Sequence, residues 1–364
     1  MFFNNTTPYS VDWSPGFDKN GREQLVVIIK VTWELPHSGQ DLVLADMQTP
    51  LIEADISTGK PGFSATLYEG DYATFKPCCD VLVNGCAYSP SDRPVKEVPV
   101  LLQVNNQNNT LLSKGFMVKG DRYWEPGVIS FRPSSQQPFT KMPVSYDNAF
   151  GGIDNTKLTH PYFYQDNPVG RGYSHHKTKL AGTLLANTEE IGNPIRTPGG
   201  HYRPMALGAV GRSWPIRSRY AGTYDDHWIQ NIMPFCPDDF DYRFFQSTPP
   251  DQQIPYPQGG EIVSLLNFSQ NAVLKFKLPQ QKIPVIFIPH VGSDKQLQSM
   301  VDTILIEPEL GRVVMTSRAV LPIKKSLHEI KEVIVGEMSS SWYRIRYSPH
   351  KKHYSSLLEL CNKI

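Results

Sequence analysis

The sequence predicts a mainly β protein whose antiparallel sheets pack as a sandwich or a barrel. Three hairpin patterns support this fold class, because each has two apolar, strand-length runs joined by a short polar turn. The β-branched run "EQLVVIIKVTW" (Glu23–Trp33) also supports it, since it has no helical gaps. Helical patterns are short and confined to the C-terminal third.

The predicted elements follow one another along the chain. After the strand at Glu23–Trp33 come three hairpins: "EVPVLLQVNNQNNTLLSKGFMVKG" turning at "NNQNN", "EIVSLLNFSQNAVLKFKLP" turning at "SQNA", and "DTILIEPELGRVVMTSRAVLP" turning at "EPELG". The run "SLHEIKEVIV" (Ser326–Val335) has helical spacing and is either a helix or a helix that feeds a strand. The final run, "HYSSLLELCNKI", spaces Tyr354, Leu358 and Cys361 as a helix does.

The chain divides into three regions. Its 364 residues exceed the roughly 250–300 residues that one core supports, so several parts are expected. Residues 1–135 are predicted to form an N-terminal β domain. Residues 136–256 are rich in glycine, proline and aromatic rings, which prevents long helices, and they are expected to form an irregular segment packed on the β core. Residues 257–364 are predicted to add β-hairpins and the helices.

Charge and hydropathy exclude several functional classes. The 36 basic and 35 acidic residues give a net charge of +1 without a long block of either sign, so no polyelectrolyte contact with nucleic acid or a membrane surface is expected. No apolar run approaches the ~20 residues that a bilayer requires, and the N-terminus has no signal-peptide pattern. The five cysteines have no CxxC spacing, which is typical of reduced thiols. The sequence therefore predicts a cytoplasmic protein.

The stretch "YAGTYDDHWIQNIMPFCPDDFDYRFFQSTPPDQQ" (Tyr220–Gln253) has no helical or strand period but many rings and charges. Disordered segments are poor in aromatic residues, so we expect a rigid coil that its own side chains hold together. Arginine stacks on rings and forks onto carboxylates. The arginines of the middle region are accordingly expected to lock the coil, and Arg243 is expected to partner its buried part. They are Arg171, Arg203, Arg212, Arg217, Arg219 and Arg243.

Catalytic patterns in the same region are weak. Asp238, Asp239 and Asp241 lie among rings, as the paired carboxylates of a glycoside hydrolase do, but aspartates in coil also cap turns and pair with a neighbouring arginine such as Arg243. A metal site could be imagined from Asp225, Asp226 and His227 with His175 and His176 upstream, but these residues lack the spacing of metal ligands. Neither a nucleophile elbow nor a phosphate-binding loop is present. We therefore assign no catalytic residue, metal or cofactor and expect a protein without enzymatic activity, with a carbohydrate-active or cell-wall-binding protein as the alternative.

Several sequence blocks carry a family resemblance. They are "VSYDNAFGG" (144–152), "NPVGRGY" (167–173), "YAGTYDDHW" (220–228) and "PDDFDYRFFQSTPPDQQ" (237–253), with flanking strands at 79–90 and 301–323. In this order they resemble the bacterial domain of unknown function, family 2169. The resemblance implies an accessory protein of type VI secretion clusters: a cytosolic adaptor or chaperone that loads a PAAR-like effector or spike-tip protein, and possibly contacts the spike protein itself. It implies no catalytic residues.

An adaptor requires an interface, and the composition of the central stretch fits one, because interface cores are enriched in Tyr, Trp, Phe, Met and Arg. The residues expected to bind the partner are Tyr220, Tyr224, His227, Tyr242 and Gln246, of which the last four are expected at the surface. The residues expected to have structural roles are Asp226, Trp228, Asp239, Asp241, Arg243, Phe244 and Phe245. Trp228, Phe244 and Phe245 are expected in the core.

Overall fold

A computed structural model describes residues 1–36, 41–128, 130–154, 161–176, 180–347 and 361. Strands make up 40% and helices 11% of the described residues, so the prediction of a mainly β fold is confirmed. The described residues form several sheets, most of them antiparallel, and none of these closes into a barrel.

The strands are numbered in chain order. Before residue 135 they are β1 (Phe2–Asn5), β2 (Ser10–Phe17), β3 (Glu23–Glu34), β4 (Val43–Leu44), β5 (Ile56–Ser57), β6 (Thr66–Tyr68), β7 (Cys79–Val83), β8 (Gly85–Tyr88), β9 (Glu97–Asn105), β10 (Thr110–Lys119), β11 (Trp124–Pro126) and β12 (Phe131–Pro133). In the central region they are β13 (Lys141–Val144), β14 (Phe150–Gly151), β15 (Ile153–Asp154), β16 (Tyr162–Phe163), β17 (Arg171–Gly172), β18 (Thr188–Glu189) and β19 (Gln253–Ile254). The last are β20 (Ile262–Leu266), β21 (Val273–Lys277), β22 (Pro284–Pro289), β23 (Lys295–Gln298), β24 (Met300–Glu307), β25 (Arg312–Pro322) and β26 (Ile330–Val335).

In the described ranges, the helices are few and short. The α-helices are α1 (Pro215–Ser218), α2 (Asp226–Asn231) and α3 (Ser340–Tyr347). The 3₁₀ helices are Pro90–Asp92, Tyr146–Asn148, Tyr242–Phe245, Pro250–Gln252, Pro308–Leu310 and Leu327–Glu329.

Three larger sheets organise the fold. The largest has the order β19-β7-β24-β25-β3-β2 with β4 beside β3, the second β18-β10-β9-β20-β21, and the third β1-β26-β22-β23. The three predicted hairpins are confirmed as β9–β10, β20–β21 and β24–β25. Pairing of β3 with β25 and of β9 with β20 places residues of the predicted N-terminal and C-terminal regions in the same two sheets.

One face of the largest sheet packs on both other sheets. Side chains alternate between the faces of a strand, and the odd-numbered residues from Leu25 to Val31 of β3 meet Val285 and Phe287 of the third sheet. Further along the same face, residues of β7, β24 and β25 form a second apolar core with the five-stranded sheet. The interfaces between this face and the two other sheets are therefore apolar on both sides, as packing in a sandwich requires.

The other face of the largest sheet carries charges, although it is buried. The Lys30 ammonium lies 2.6 Å from the Asp71 carboxylate, the Lys76 ammonium lies 2.8 Å from Asp80, and Arg318 pairs with Asp302. Buried charges are tolerated only when paired and hydrogen-bonded, and each of these has an opposite charge beside it. We call the six residues Lys30, Asp71, Lys76, Asp80, Asp302 and Arg318 the charged layer.

The C-terminal helix predictions need correction. Of Ser326–Val335 only Leu327–Glu329 is helical, and the remainder is β26, so the variant in which a helix feeds a strand is nearer the structure. The reason is tertiary: β26 lies between β1 and β22 and buries apolar side chains on both of its faces. The predicted helix at 353–364 lies outside the described residues except for residue 361. Helix α3, which was not predicted, packs Trp342 against the third sheet.

Candidate functional site

The stretch Tyr220–Gln253 lies against the charged face of the largest sheet. It is not the uniform coil that was expected, because it contains α2 and the 3₁₀ helices Tyr242–Phe245 and Pro250–Gln252. Aspartate carboxylates cap the first two of these elements. Asp225 accepts a hydrogen bond from the Trp228 N–H, and Asp241 accepts one from the Arg243 N–H, which caps the first turn in each case.

The base of this stretch is anchored on Asp80, a fully buried carboxylate on β7. Asp80 accepts hydrogen bonds from the Gln246 side chain at 2.8 Å and from the backbone and hydroxyl of Ser247. Burial opposes its ionisation, but the Lys76 ammonium and the hydrogen bonds of Thr248 and Ser247 outweigh burial and lower the pKa of Asp80. Gln246, expected at the surface, is only 4% exposed; a polar side chain is buried there because Asp80 needs donors.

Arginine locks the stretch, but Arg243 is not the buried one. Arg217 on α1 is buried and donates to the carbonyls of Val210 and Phe244 at 2.8 Å each, and it pairs with Glu69. The Arg243 side chain is 58% exposed; among the described residues it pairs with the neighbouring Asp241 and lies over the face of Tyr220. The expectation for Arg243 is corrected because its carboxylate partner lies two residues away at the surface.

We call residues 223–235 the tip. Within it, Tyr224 and Trp228 stack edge to face at 4.7 Å, and the Trp228 indole N–H donates to the Phe235 carbonyl at 2.8 Å. The backbone bond from Ile229 to Asp225 continues the turn. These contacts fix a short, capped helix whose outer side chains point away from the sheet.

The tip exposes three large apolar side chains among polar ones. Tyr224 and Ile229 are each 57% exposed and Met233 is 60% exposed. His227 is exposed and accompanies them, while its carbonyl accepts a hydrogen bond from Asn231. Ile229 and Met233 were not singled out in the sequence, although their spacing of four residues after the Asp225 cap is a helix signal.

The other predicted residues of the stretch are distributed differently. Tyr242 is half-buried: its hydroxyl accepts the Lys19 N–H at 3.0 Å, and its ring contacts Phe75. Trp228, Phe244 and Phe245, expected in the core, are also only half-buried. Phe244 and Phe245 pack around Phe240, and Trp228 packs on Tyr224 within the tip, so all three rings keep part of their surface exposed.

A cleft opens beside Tyr220, whose ring the guanidinium groups of Arg219 and Arg243 approach at 4.8 and 4.3 Å. Its volume is about 110 Å³. Its remaining wall includes Val210, Ile216, Gln246, Pro249 and Pro250. The structure thus gathers Tyr220, Arg243 and Gln246 at this cleft, whereas Tyr224, Asp226, His227 and Trp228 belong to the tip.

The carboxylates of the acidic trio serve local structure. Asp239 accepts hydrogen bonds from the Thr223 N–H and hydroxyl at 2.8 Å each, and these bonds lower its pKa. Asp241 accepts from Arg243, which lowers its pKa as well. Asp238 is exposed beside them. A glycosidase acid needs a raised pKa, so Asp239 and Asp241 do not fit that role.

The histidines considered as metal ligands have other contacts. His175 stacks on Tyr162 at 4.0 Å, and the His176 N–H donates to Asp154. In the part of the chain that the structure describes, no three His, Cys, Asp or Glu side chains are grouped so as to hold a metal ion. None of the described helices has both the length and the hydropathy that a membrane crossing requires.

The fold and the site define a mainly antiparallel β protein in which an irregular segment covers a charged sheet face and projects an apolar tip. The chain belongs to the family described as an uncharacterized protein conserved in bacteria, DUF2169, whose sequence model matches residues 20–318. This confirms the family resemblance. Comparison with curated proteins and with solved structures gives no match.

Proposed function

We propose that this chain is a cytosolic adaptor or chaperone that binds a PAAR-like type VI secretion effector, or its spike-tip protein, and helps to load it onto the spike. The observation that carries the proposal is the exposed apolar surface of Tyr224, Ile229 and Met233. Contiguous exposed apolar side chains mark protein interaction sites. The resemblance of the sequence blocks to the family supplies the class of partner.

The rigidity of the tip supports a binding role. The Asp225 cap and the Trp228 bond to Phe235 already fix its shape. A preorganised surface loses little conformational entropy when a partner binds, so more of the interaction energy contributes to affinity. The glycan-processing alternative gains no such support, because Asp239 and Asp241 are stabilised in their ionised forms.

The test compares partner capture by two matched double variants. Ile229→Ser with Met233→Ser makes the tip polar, and Val273→Ser with Val291→Ser makes the same chemical change at exposed valines elsewhere. Tagged proteins are recovered from the native bacterium, bound proteins are identified by mass spectrometry, and the soluble amount of the effector encoded nearby is measured. We expect wild type and the valine variant to recover a spike-tip protein or effector, and the tip variant to lose it.

The expected interface buries about 800 Å² or more on each partner, the standard size for a stable complex. Equal recovery of the same proteins by the tip variant would place the interface elsewhere. An effector that is equally soluble and equally delivered without this chain would contradict the adaptor role itself.

A further inference from the structure

A groove of about 770 Å³ lies beside the tip. It is formed by the β2–β3 turn, the residues that follow β25, the start of β23 and the end of the tip. Its lining comprises Phe17, Gly21, Arg22, Glu23, Phe235, Lys295, Pro322, Ile323, Lys324 and Lys325. Phe235 is shared by the tip and the groove.

The floor of the groove is apolar. The rings of Phe17 and Phe235 meet edge to face at 5.2 Å and are 43% and 37% exposed. Gly21 has a φ of +74°, and a Cβ there would lie 3.3 Å from the Phe235 ring, so the turn backbone closely supports this ring. Ile323 is buried beneath and fixed by its N–H bond to the Glu23 carbonyl.

The rim of the groove is basic. Arg22, Lys295, Lys324 and Lys325 are all exposed, and within the described residues none of them forms an ion pair. Glu23 is the one carboxylate of the lining. The lining side chains, four cations and one carboxylate, have a formal charge of +3 on a chain whose net charge is +1. The Asp18 and Glu329 carboxylates lie beside the rim and accept hydrogen bonds from the backbone N–H groups of Arg22 and Lys324.

We propose that this groove binds an acidic segment of the partner protein that carries an aromatic or aliphatic anchor. The anchor packs on Phe17 and Phe235, and the flanking carboxylates face the four cations. Charge complementarity favours an anion, and the apolar floor favours a peptide with a hydrophobic side chain. A phosphate backbone requires a continuous basic stripe, whereas these cations surround an apolar centre. The proposal rests on the adaptor function and specifies the chemistry of its partner.

The test uses a short fluorescent peptide that alternates glutamate with phenylalanine, and a control peptide with glutamine for glutamate. Binding to the full chain is measured by fluorescence anisotropy. We expect Lys324→Glu with Lys325→Glu to weaken binding by about tenfold, because two attractions become repulsions. Lys275→Glu with Lys277→Glu, the same change on exposed residues of β21, leaves binding unchanged. Raising the salt concentration from about 0.05 M to about 0.5 M weakens wild-type binding by screening.

Phe17→Ala separates the two contributions, since it weakens the phenylalanine peptide but not a polyglutamate of equal charge. Failure of the acidic peptide to bind, or equal binding of the glutamine peptide, overturns the proposal. Tighter binding of a single-stranded oligonucleotide or of anionic vesicles, lost in the Lys324/Lys325 variant, overturns it in favour of another polyanion. The peptide assay needs no native partner, so its failure leaves the adaptor function standing, and failure of partner capture leaves the groove result intact.

Discussion

The side-chain amide of Gln246 donates a 2.8 Å hydrogen bond to the carboxylate of Asp80, a residue 166 positions earlier in the chain. This contact joins the irregular central stretch to β7 in the middle of the fold. It also explains how a charged sheet face is buried, because the stretch supplies donors to the carboxylate.

Asp80→Asn is expected to lower the free energy of unfolding by about 3–5 kcal/mol, since it removes the carboxylate 2.8 Å from the buried Lys76 ammonium and leaves it the more distant Glu69 at 4.0 Å. Urea unfolding at neutral pH measures the loss. Asp238→Asn, at an exposed carboxylate, is the matched control and should change stability by less than about 0.5 kcal/mol.

The contribution of ionised Asp80 to the free energy of unfolding has a defined pH dependence. The pKa of Asp80 is lowered in the folded state, so its stabilisation is present above the unfolded pKa of about 4 and is lost as the pH falls through the folded value. The stabilities of wild type and Asp80→Asn should therefore converge in acid. A constant difference down to the lowest measurable pH would contradict this assignment.

Arg217→Ala and Arg243→Ala should behave differently. Arg217 is buried and bonds two carbonyls and Glu69, so its removal should cost about 3–5 kcal/mol. Arg243 is exposed, so its removal should lower the free energy of unfolding by no more than about 1 kcal/mol. Thermal unfolding of the two variants distinguishes them, and an equal fall in melting temperature would restore Arg243 as the lock.

Lys114 provides a test at alkaline pH. Burial lowers its pKa to about 8 from 10.5, so between these values the unfolded chain holds a proton that the folded chain has released. Its contribution to stability should rise as the pH increases across this window. The stability of wild type relative to Lys114→Met should increase by about 2 kcal/mol from pH 7.5 to pH 10, whereas Lys275→Met, at an exposed lysine of the same sheet, should show no such trend.

The cap of α2 predicts a local effect. Asp225→Ala removes the 2.9 Å hydrogen bond to the Trp228 N–H, which should cost α2 about 0.5–2 kcal/mol. Because the tip projects from the fold, amide exchange in α2 should accelerate while the melting temperature stays nearly constant. Asp226→Ala, which removes a first-turn charge but no cap, should accelerate exchange less.

Sequence patterns predicted the structural features that residues close together in the chain determine. The hairpins were readable because strand, turn and returning strand lie within about twenty residues and alternate visibly. The pairing of β3 with β25 was not, since it joins residues nearly three hundred positions apart. The burial of Gln246 was missed for the same reason: its cause is Asp80, a distant carboxylate.

The two candidate surfaces likewise differ in whether the local sequence predicts them. The apolar tip has a local signal in the Asp225 cap and the spacing of Ile229 and Met233. The basic groove has no local sequence signal. Its cations come from three separate segments of the chain, and the net charge of +1 does not reveal them. Only the fold brings Arg22, Lys295 and Lys324 together.

Because of the charged layer, separating the two faces of the largest sheet from their coverings has different energetic costs. Separating the hydrocarbon face from the other sheets would expose apolar side chains, which is unfavourable. Lifting the irregular stretch from the opposite face would instead take away the Gln246, Ser247 and Thr248 donors of the Asp80 carboxylate, while Lys30 and Arg318 would keep their bonds to Asp71. The two faces therefore resist separation for different reasons: one because apolar surface would meet water, and the other because a buried carboxylate would lose its hydrogen-bond donors.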